Sequence, residues 1–263
     1  MIQNVSNKPV SELFSSENQV SYFIPKYQRE YIWSKFNWES LFDDIDESAG
    51  GHFLGSIICI NTQLDSFKAA ELELVDGQQR TTTISLLYLA IYKYFLENMP
   101  EDDEEARHEL FSFRKKIVLQ NKSPRVTPSY TASNLDDYNW IFFEVLGNKV
   151  NKPYKKPKFL GLRRMYKAFD YFYDRLNEID DNGNSIFTYS KAQEFLNKLN
   201  MATIVKIDVI GHSDAFTLFE TLNNRGVPLS AVDLIKNKLL GKLEKNTSGQ
   251  NNKTTLDENY ERW

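Results

Sequence analysis

The strongest chemical signal in the sequence is a predicted strand, turn and helix whose turn is polar. Alternating side chains from Glu71 to Val75 predict a strand, and apolar positions from Thr81 to Phe95 predict a helix that is buried on most of its surface. The turn between them has the sequence Asp76-Gly77-Gln78-Gln79-Arg80. A helix that begins at such a turn exposes unpaired amide hydrogens, and these together with the helix dipole favour an anion such as phosphate.

Side chains in and after this turn could complete a phosphate site. Arg80 offers a planar fork for phosphate oxygens, and the hydroxyls of Thr81 and Thr82 could donate hydrogen bonds or help to hold a metal ion. Asp76 would then face a ribose, a metal ion or an attacking water. A structural interpretation stays open, in which Asp76 caps the helix and Arg80 pairs with a surface carboxylate.

Two further segments combine polar groups with a bend in the chain. Residues 24–33 alternate aromatic and polar side chains and could hold phosphate with Arg29, or form an ordinary packing corner. The rings that could stack a base there are Tyr27, Tyr31 and Trp33. Residues 223–228 join two predicted helices, with Gly226 supplying a positive φ, and taken alone this joint indicates a structural role.

A basic segment in the middle of the chain is a candidate DNA contact. Residues 151–158 form a basic loop punctuated by prolines, and further basic residues follow in the next predicted helix without intervening acids. The residues that we expect to contact DNA phosphates are Lys155, Lys156, Lys158, Arg163 and Arg164. The alternative is a charged face that contacts only solvent.

Composition limits the classes of protein to which the chain can belong. Apolar residues make up 41% of the chain, as in folded proteins, and the formal net charge of -4 gives no overall attraction to nucleic acid or anionic lipid. The sequence has neither a secretory signal pattern nor the roughly 20 apolar residues of a membrane span, so we expect a cytoplasmic protein. The single Cys59 is predicted to be a buried core thiol. The scattered histidines predict no metal site, and they are His52, His108 and His212.

Hydrophobic periodicity predicts a mixed α+β fold. Residues 19–24, 53–60, 71–75 and 202–210 have the patterns of strands. Ser34 is placed to cap a helix with an apolar face, and the middle of the chain is predicted to be mainly α-helical, with helices at 135–146, 161–179 and 190–199. The late strand at 202–210 is expected to rejoin the first sheet.

Four segments, taken in order, resemble the N-terminal domain family of the GmrSD-type modification-dependent restriction enzymes. They are Tyr27-Gln28-Arg29 with the downstream Trp33, Phe53-Leu54-Gly55-Ser56, Asp76-Gly77-Gln78-Gln79-Arg80-Thr81, and the stretch from Leu222 to Asn237. The resemblance spans roughly Tyr22 to Leu240, and the pentapeptide at 76–80 is its most specific part.

The resemblance implies a ParB/sulfiredoxin-like α+β core, a small mixed sheet with helices, into which a mainly α-helical region is inserted. It implies that the pentapeptide binds a nucleoside triphosphate with Mg²⁺. The residues implied in nucleotide binding are Tyr27, Gln28, Arg29, Gly55, Ser56, Asp76, Gly77, Gln78, Gln79, Arg80, Thr81, Thr82, Asn223, Arg225 and Gly226. Those implied in catalysis are Asp76, Gln79 and Arg80.

The expected organisation has four parts. Residues 1–100 form the first part of the nucleotide-binding core, 101–200 the mainly helical region, and 201–243 a return strand and helices that complete the core. Residues 244–263 are expected to be a linker and the start of a helix that continues in a longer protein. The resemblance implies modified phage DNA and a downstream or separate HNH-type nuclease domain as partners, with no membrane.

The leading functional hypothesis is a nucleotide-binding, NTP-hydrolysing sensor module of a restriction protein. A different class, a DNA-recognition module without hydrolysis, stays open, with Arg29, Arg80 and the basic loop contacting the DNA backbone. A third hypothesis, that the chain itself nicks DNA, lacks an obvious cluster of carboxylates and histidines in the sequence. GTP, ATP and CTP stay open as the nucleotide.

Overall fold

The computed structural model describes residues 2–25, 28–61, 70–100, 102–119, 123–128, 132–146 and 157–223, and the side chains of residues 132–137, 143, 220, 222 and 223 lie outside this description. The strands are β1 (Ile2–Pro9), β2 (Ser21–Ile24), β3 (Phe53–Asn61), β4 (Glu71–Asp76), β5 (Val126–Pro128) and β6 (Thr203–Val209). The helices are α1 (Val10–Leu13), α2 (Lys35–Glu47), α3 (Gln78–Asn98), α4 (Glu104–Ile117), α5 (Ala132–Val145), α6 (Leu160–Leu176), α7 (Tyr189–Met201) and α8 (His212–Asn223). The predicted α+β class is confirmed, whereas its ParB/sulfiredoxin-like character stays a prediction.

In the described part of the chain, the strands form one six-stranded sheet in the order β1-β6-β3-β4-β2-β5. Strand β6 is parallel to β3, and β2 is parallel to both β4 and β5. Strand β1 is antiparallel to β6, and β4 is antiparallel to β3. Because of these directions, the ends of β2 and β4 and the start of β3 lie at the same end of the sheet. Three of the four segments that carry the family resemblance are therefore neighbours, namely residues 28–33, 53–56 and 76–81.

Helix α3 is the central helix of the fold. Its side chains are buried almost continuously from Gln78 to Tyr92, as its sequence predicts. It packs against α4, α6 and α7, which lie with it on one face of the sheet. Aromatic contacts extend this core, and Phe42 stacks on Phe195 with ring centroids 4.4 Å apart. Burial around α3 fixes the position of its first turn, which carries the candidate phosphate site.

Helix α8 packs on the opposite face of the sheet. Ala215 and Phe216 join a second apolar cluster with residues of β3, β4 and β6. At the start of α8, Nε2 of His212 lies 2.8 Å from Oε1 of the buried Glu73 on β4. This contact fixes the first turn of α8 against the sheet and gives His212 a structural partner.

Several helices and strands predicted from the sequence are confirmed, and the structure also contains elements that were not predicted. The helix after Ser34 and the late strand both form, and β6 joins the first sheet between β1 and β3. Cys59 is buried, and burial raises the pKa of its thiol to about 12. The predictions did not include β1, α4 or β5, and β5 adds a strand from the middle of the chain to the edge of the sheet.

Candidate functional site

The turn between β4 and α3 depends on Gly77. This residue is the N-cap of α3 and has φ +84°, in the left-handed region that favours glycine. A Cβ at this position would lie 2.5 Å from Cγ2 of Ile57 on β3, so the turn also needs the space that glycine leaves. No side chain caps the helix here, and the capping role considered for Asp76 is therefore not what the structure shows.

The first turn of α3 presents backbone amides at this end of the sheet. The Thr81 amide donates to the Gly77 carbonyl at 2.9 Å, which is the first hydrogen bond inside the helix. The amides of Gln78, Gln79 and Arg80 come before it and have no acceptor within the helix. With the positive end of the helix dipole, these groups can bind an anion.

Arg80 connects α3 to the start of β3. Its Nη1 donates to the Ser56 carbonyl at 2.8 Å, rather than to the surface carboxylate of the structural interpretation. A Cβ at Gly55, which has φ +98°, would lie 2.8 Å from Nη2 of Arg80, so this glycine makes room for the guanidinium. Burial lowers the pKa of Arg80 from its ordinary value, and nearby Asp76 opposes this shift. The structure thus joins two of the family-like segments.

Asp76 lies beside two arginines. Burial raises the pKa of its carboxyl above the ordinary value, and a hydrogen bond from the Gly77 backbone opposes this rise, followed by the charges of Arg80 and Arg29. Arg29 is exposed, whereas Asp76 is half-buried. The three charged groups therefore lie around the first turn of α3, where a phosphate and a cation could bind together.

Gln79 holds the segment that follows β2. The side chain is buried, and its Oε1 accepts from the amides of Ile32 at 2.8 Å and Trp33 at 3.4 Å. Its Nε2 donates to the Glu30 carbonyl at 3.1 Å. These contacts are those of a positioning residue, and the catalytic role of Gln79 stays a prediction.

Gln28 and Gln78 form a second connection between the same segments. Nε2 of Gln28 donates to the Val75 carbonyl at 2.7 Å, and Nε2 of Gln78 donates to Oε1 of Gln28 at 3.0 Å. These two side-chain amides thus tie residues 28–33 to the end of β4 and the start of α3. Arg29 lies between these anchored points and is held near Asp76.

Tyr31 is not available to stack a base. Its ring is 3% exposed, and its hydroxyl lies 2.6 Å from Oγ1 of Thr83 and accepts from Nε1 of Trp38 at 2.8 Å. Trp33 is half-buried and packs against the core. Residues 28–33 therefore pack on α3 in the manner of the structural alternative, while Arg29 stays exposed.

The two threonines that follow the pentapeptide are buried. Thr81 and Thr82 are each 2% exposed, and Oγ1 of Thr81 donates to the Gly77 carbonyl at 3.0 Å. This hydrogen bond stabilises the first turn. The predicted roles of the two hydroxyls toward a nucleotide or metal ion remain predictions.

Part of the predicted DNA-binding segment lies at the start of α6. Lys158 is exposed, while Arg163 and Arg164 are half-buried in the first two turns. Nη1 of Arg163 donates to the Lys158 carbonyl at 3.0 Å, which brings the two residues together. Lys155 and Lys156 lie outside the described residues, as do Tyr27, Arg225, Gly226 and the side chain of Asn223.

Glu30 and Gly161 were not predicted as site residues. The Gly161 amide donates to Oε2 of Glu30 at 3.1 Å, which joins the start of α6 to residues 28–33. A glycine in the first turn of a helix is a sequence signal for close backbone contact, whereas the sequence gives no local signal for the role of Glu30. The structure therefore brings the start of α6 next to residues 28–33, which in turn contact the pentapeptide.

The part of the chain that the structure describes contains no helix long and apolar enough to cross a membrane. Its histidines, cysteine and acidic residues include no group of three or more that could hold a metal ion.

Comparison with known proteins agrees with the motifs that meet at this turn. No curated protein matches the chain. The family model described as GmrSD restriction endonuclease, N-terminal domain, matches residues 10–240. The match covers most of the chain and includes every segment that carried the resemblance, so the chain belongs to the GmrSD N-terminal domain family.

Proposed function

We propose that the chain binds and hydrolyses a nucleoside triphosphate as the regulatory module of a restriction system. Membership of the GmrSD family makes the chain part of such a system. The observation that carries the nucleotide proposal is the set of Asp76, Arg80 and Arg29 around the first turn of α3. This arrangement combines helix amides, two positive charges and one carboxylate.

The phosphates would bind at the amides of Gln78, Gln79 and Arg80, where the helix dipole favours negative charge. Arg29 is exposed and could approach a terminal phosphate, while Arg80 is held by Ser56 at the base of the site. Guanidinium groups at both sides would neutralise phosphate charge and orient the nucleotide.

Asp76 fits a role beside the phosphates. Burial makes its charged form unfavourable, so a cation beside it would lower that cost. Mg²⁺ commonly binds through one or two carboxylates and the phosphates of the nucleotide, and when bound it would neutralise developing charge. Asp76 would hold this ion or orient the attacking water.

DNA and a nuclease domain are the partners that this module would serve. Positive charge at Lys158, Arg163 and Arg164 supports contact with the phosphate backbone. The modified phage DNA and the HNH-type nuclease expected from the sequence remain proposals. The same charges support a DNA-recognition module without hydrolysis as the second candidate function.

Calorimetry with ATP, GTP, CTP and UTP, each with Mg²⁺, tests the proposal. Arg80→Ala removes a charge-assisted bond of about 1.5 to 3 kcal/mol, so nucleotide affinity should fall roughly ten- to a hundredfold. Arg114→Ala, in the last turn of α4, is the matched control and should bind as the wild type does. Equal affinities of Arg80→Ala and the wild type, or no binding by a folded wild type, would leave the DNA-recognition module as the better function.

A further inference from the structure

The start of α6 is in close backbone contact with residues 28–33. The Gly161 amide donates to Oε2 of Glu30 at 3.1 Å. A Cβ at Gly161 would lie 3.0 Å from both Cβ of Glu30 and the amide nitrogen of Tyr31. The contact therefore depends on a glycine on one side and a carboxylate on the other, and no larger residue fits at 161 without moving the segment.

Glu30 also contacts the pentapeptide through its backbone. Its carbonyl accepts from Nε2 of Gln79 at 3.1 Å, and Oε1 of the same Gln79 accepts from the Ile32 amide at 2.8 Å. Gln79 lies in the first turn of α3, directly before Arg80. One residue thus bonds the first turn of α6 with its side chain and the first turn of α3 with its backbone.

In the proposed function, the start of α6 contacts DNA and the start of α3 binds the nucleotide. The first two turns of α6 carry Arg163 and Arg164, and the preceding Lys158 is exposed. A DNA phosphate bound at these basic residues would lie near the positive N-terminal end of α6, where the Glu30 carboxylate already accepts from the Gly161 amide. The two anions repel each other and compete for that end, so an occupied basic segment weakens the hold of Gly161 on Glu30.

We propose that Glu30 is a positioning residue that couples the basic start of α6 to the first turn of α3, so that DNA bound at α6 changes nucleotide affinity at α3. This inference rests on the proposed function. The element with two arrangements is the segment 28–33, which is either held against α6 or released from it. Its release moves Gln79 and alters the position of Arg29 beside the nucleotide.

The test measures nucleotide binding with and without duplex DNA. The proteins are the wild type, Glu30→Ala, Gly161→Ala and the control Glu194→Ala, which removes an exposed carboxylate paired with Lys198 on α7. We expect DNA to change the wild-type affinity for ATP, GTP, CTP or UTP by about 5- to 150-fold, and that of Glu30→Ala by less than about twofold. The control should keep the full effect, and Glu30→Ala should still bind DNA.

A second readout follows amide hydrogen exchange without nucleotide. DNA should change the exchange of the Ile32 and Trp33 amides in the wild type, because these amides bond to Gln79, and should not do so in Glu30→Ala. If the wild type binds no nucleotide, the proposed function fails, and this exchange experiment alone decides the coupling. Wild-type coupling that persists in Glu30→Ala and Gly161→Ala, or a wild type in which DNA alters neither readout, would overturn the inference.

Discussion

Replacing Gly77 by alanine tests the backbone requirement at the start of α3. Gly77 has φ +84°, and a Cβ there would lie 2.5 Å from Cγ2 of Ile57 and 3.1 Å from the Ser56 carbonyl oxygen. Gly183 provides a matched control in the same protein, because it has φ +81° and nothing within 4 Å of an added Cβ. The two glycines share the backbone conformation and differ in the space around them.

The expected losses of stability follow from the backbone conformation of each glycine and from the space around it. A residue other than glycine in the left-handed region costs roughly 1 to 2 kcal/mol, so Gly183→Ala should lower the free energy of unfolding by about that amount. Gly77→Ala carries the same term and also forces a methyl group into a packed core, which costs about 1 to 3 kcal/mol more. The total for Gly77→Ala is about 2 to 5 kcal/mol. The smaller entropy of the unfolded alanine chain applies to both variants and cancels in the comparison.

Urea unfolding of the three proteins at one pH measures the difference directly. The slope of the free energy against urea concentration should be the same in all three, because the surface exposed on unfolding hardly changes. A larger loss of stability in Gly77→Ala than in Gly183→Ala supports the packing term. Equal losses would refute it and would show that β3 moves to accept the methyl group.

Two further predictions concern buried charge. Arg125 is fully buried and makes six hydrogen bonds, mainly to backbone carbonyls such as that of Lys115. Because Arg125→Met leaves these acceptors without a donor, it should lower the free energy of unfolding by more than about 3 kcal/mol. Denaturant titration should show this loss with no change in the slope of the free energy against denaturant concentration. A loss within the error of the titration would count against this role. The raised pKa of Asp76 means that its charged form destabilises the folded state. Asp76→Asn should therefore raise the thermal midpoint of unfolding at neutral pH. This gain should shrink as the pH falls toward 3.8, the ordinary pKa of an aspartate. A gain that is constant with pH would contradict this origin.

The elements that the sequence predicted well are those with long, regular burial. Helix α3 is apolar around most of its surface, and β6 has a run of apolar and β-branched residues, so both patterns are unambiguous. Strand β1 is exposed over most of its length at the edge of the sheet, which leaves no alternating pattern to detect. Strand β5 has only three residues. Helix α4 buries few side chains, so its sequence has no apolar stripe to detect, although its acidic start and basic end suit the helix dipole.

The candidate site was predictable where the signal is local. A glycine between a strand and a helix predicts the turn at Gly77, and the structure adds that Gly55 makes room for Arg80. The contacts of Gln79 join residues more than forty positions apart, from Glu30 to Trp33, and no local pattern reports them. For the same reason, the sequence could not show that the start of α6 contacts residues 28–33.

The pairing of the first strand with the last has a consequence for synthesis of the chain. Ile2 pairs with Val209, and β6 separates β1 from β3, so the first strand has no place in the sheet until β6 has been made. At about 5 to 20 residues per second, the ribosome needs on the order of 10 to 40 seconds to reach β6 after the first residues. Strand β3 ends about 140 residues before β6 begins, so for roughly 7 to 30 seconds of this time its apolar edge lacks its neighbour. The nascent chain is exposed to aggregation in that interval, and a chaperone that covers β3 would raise the yield of folded protein.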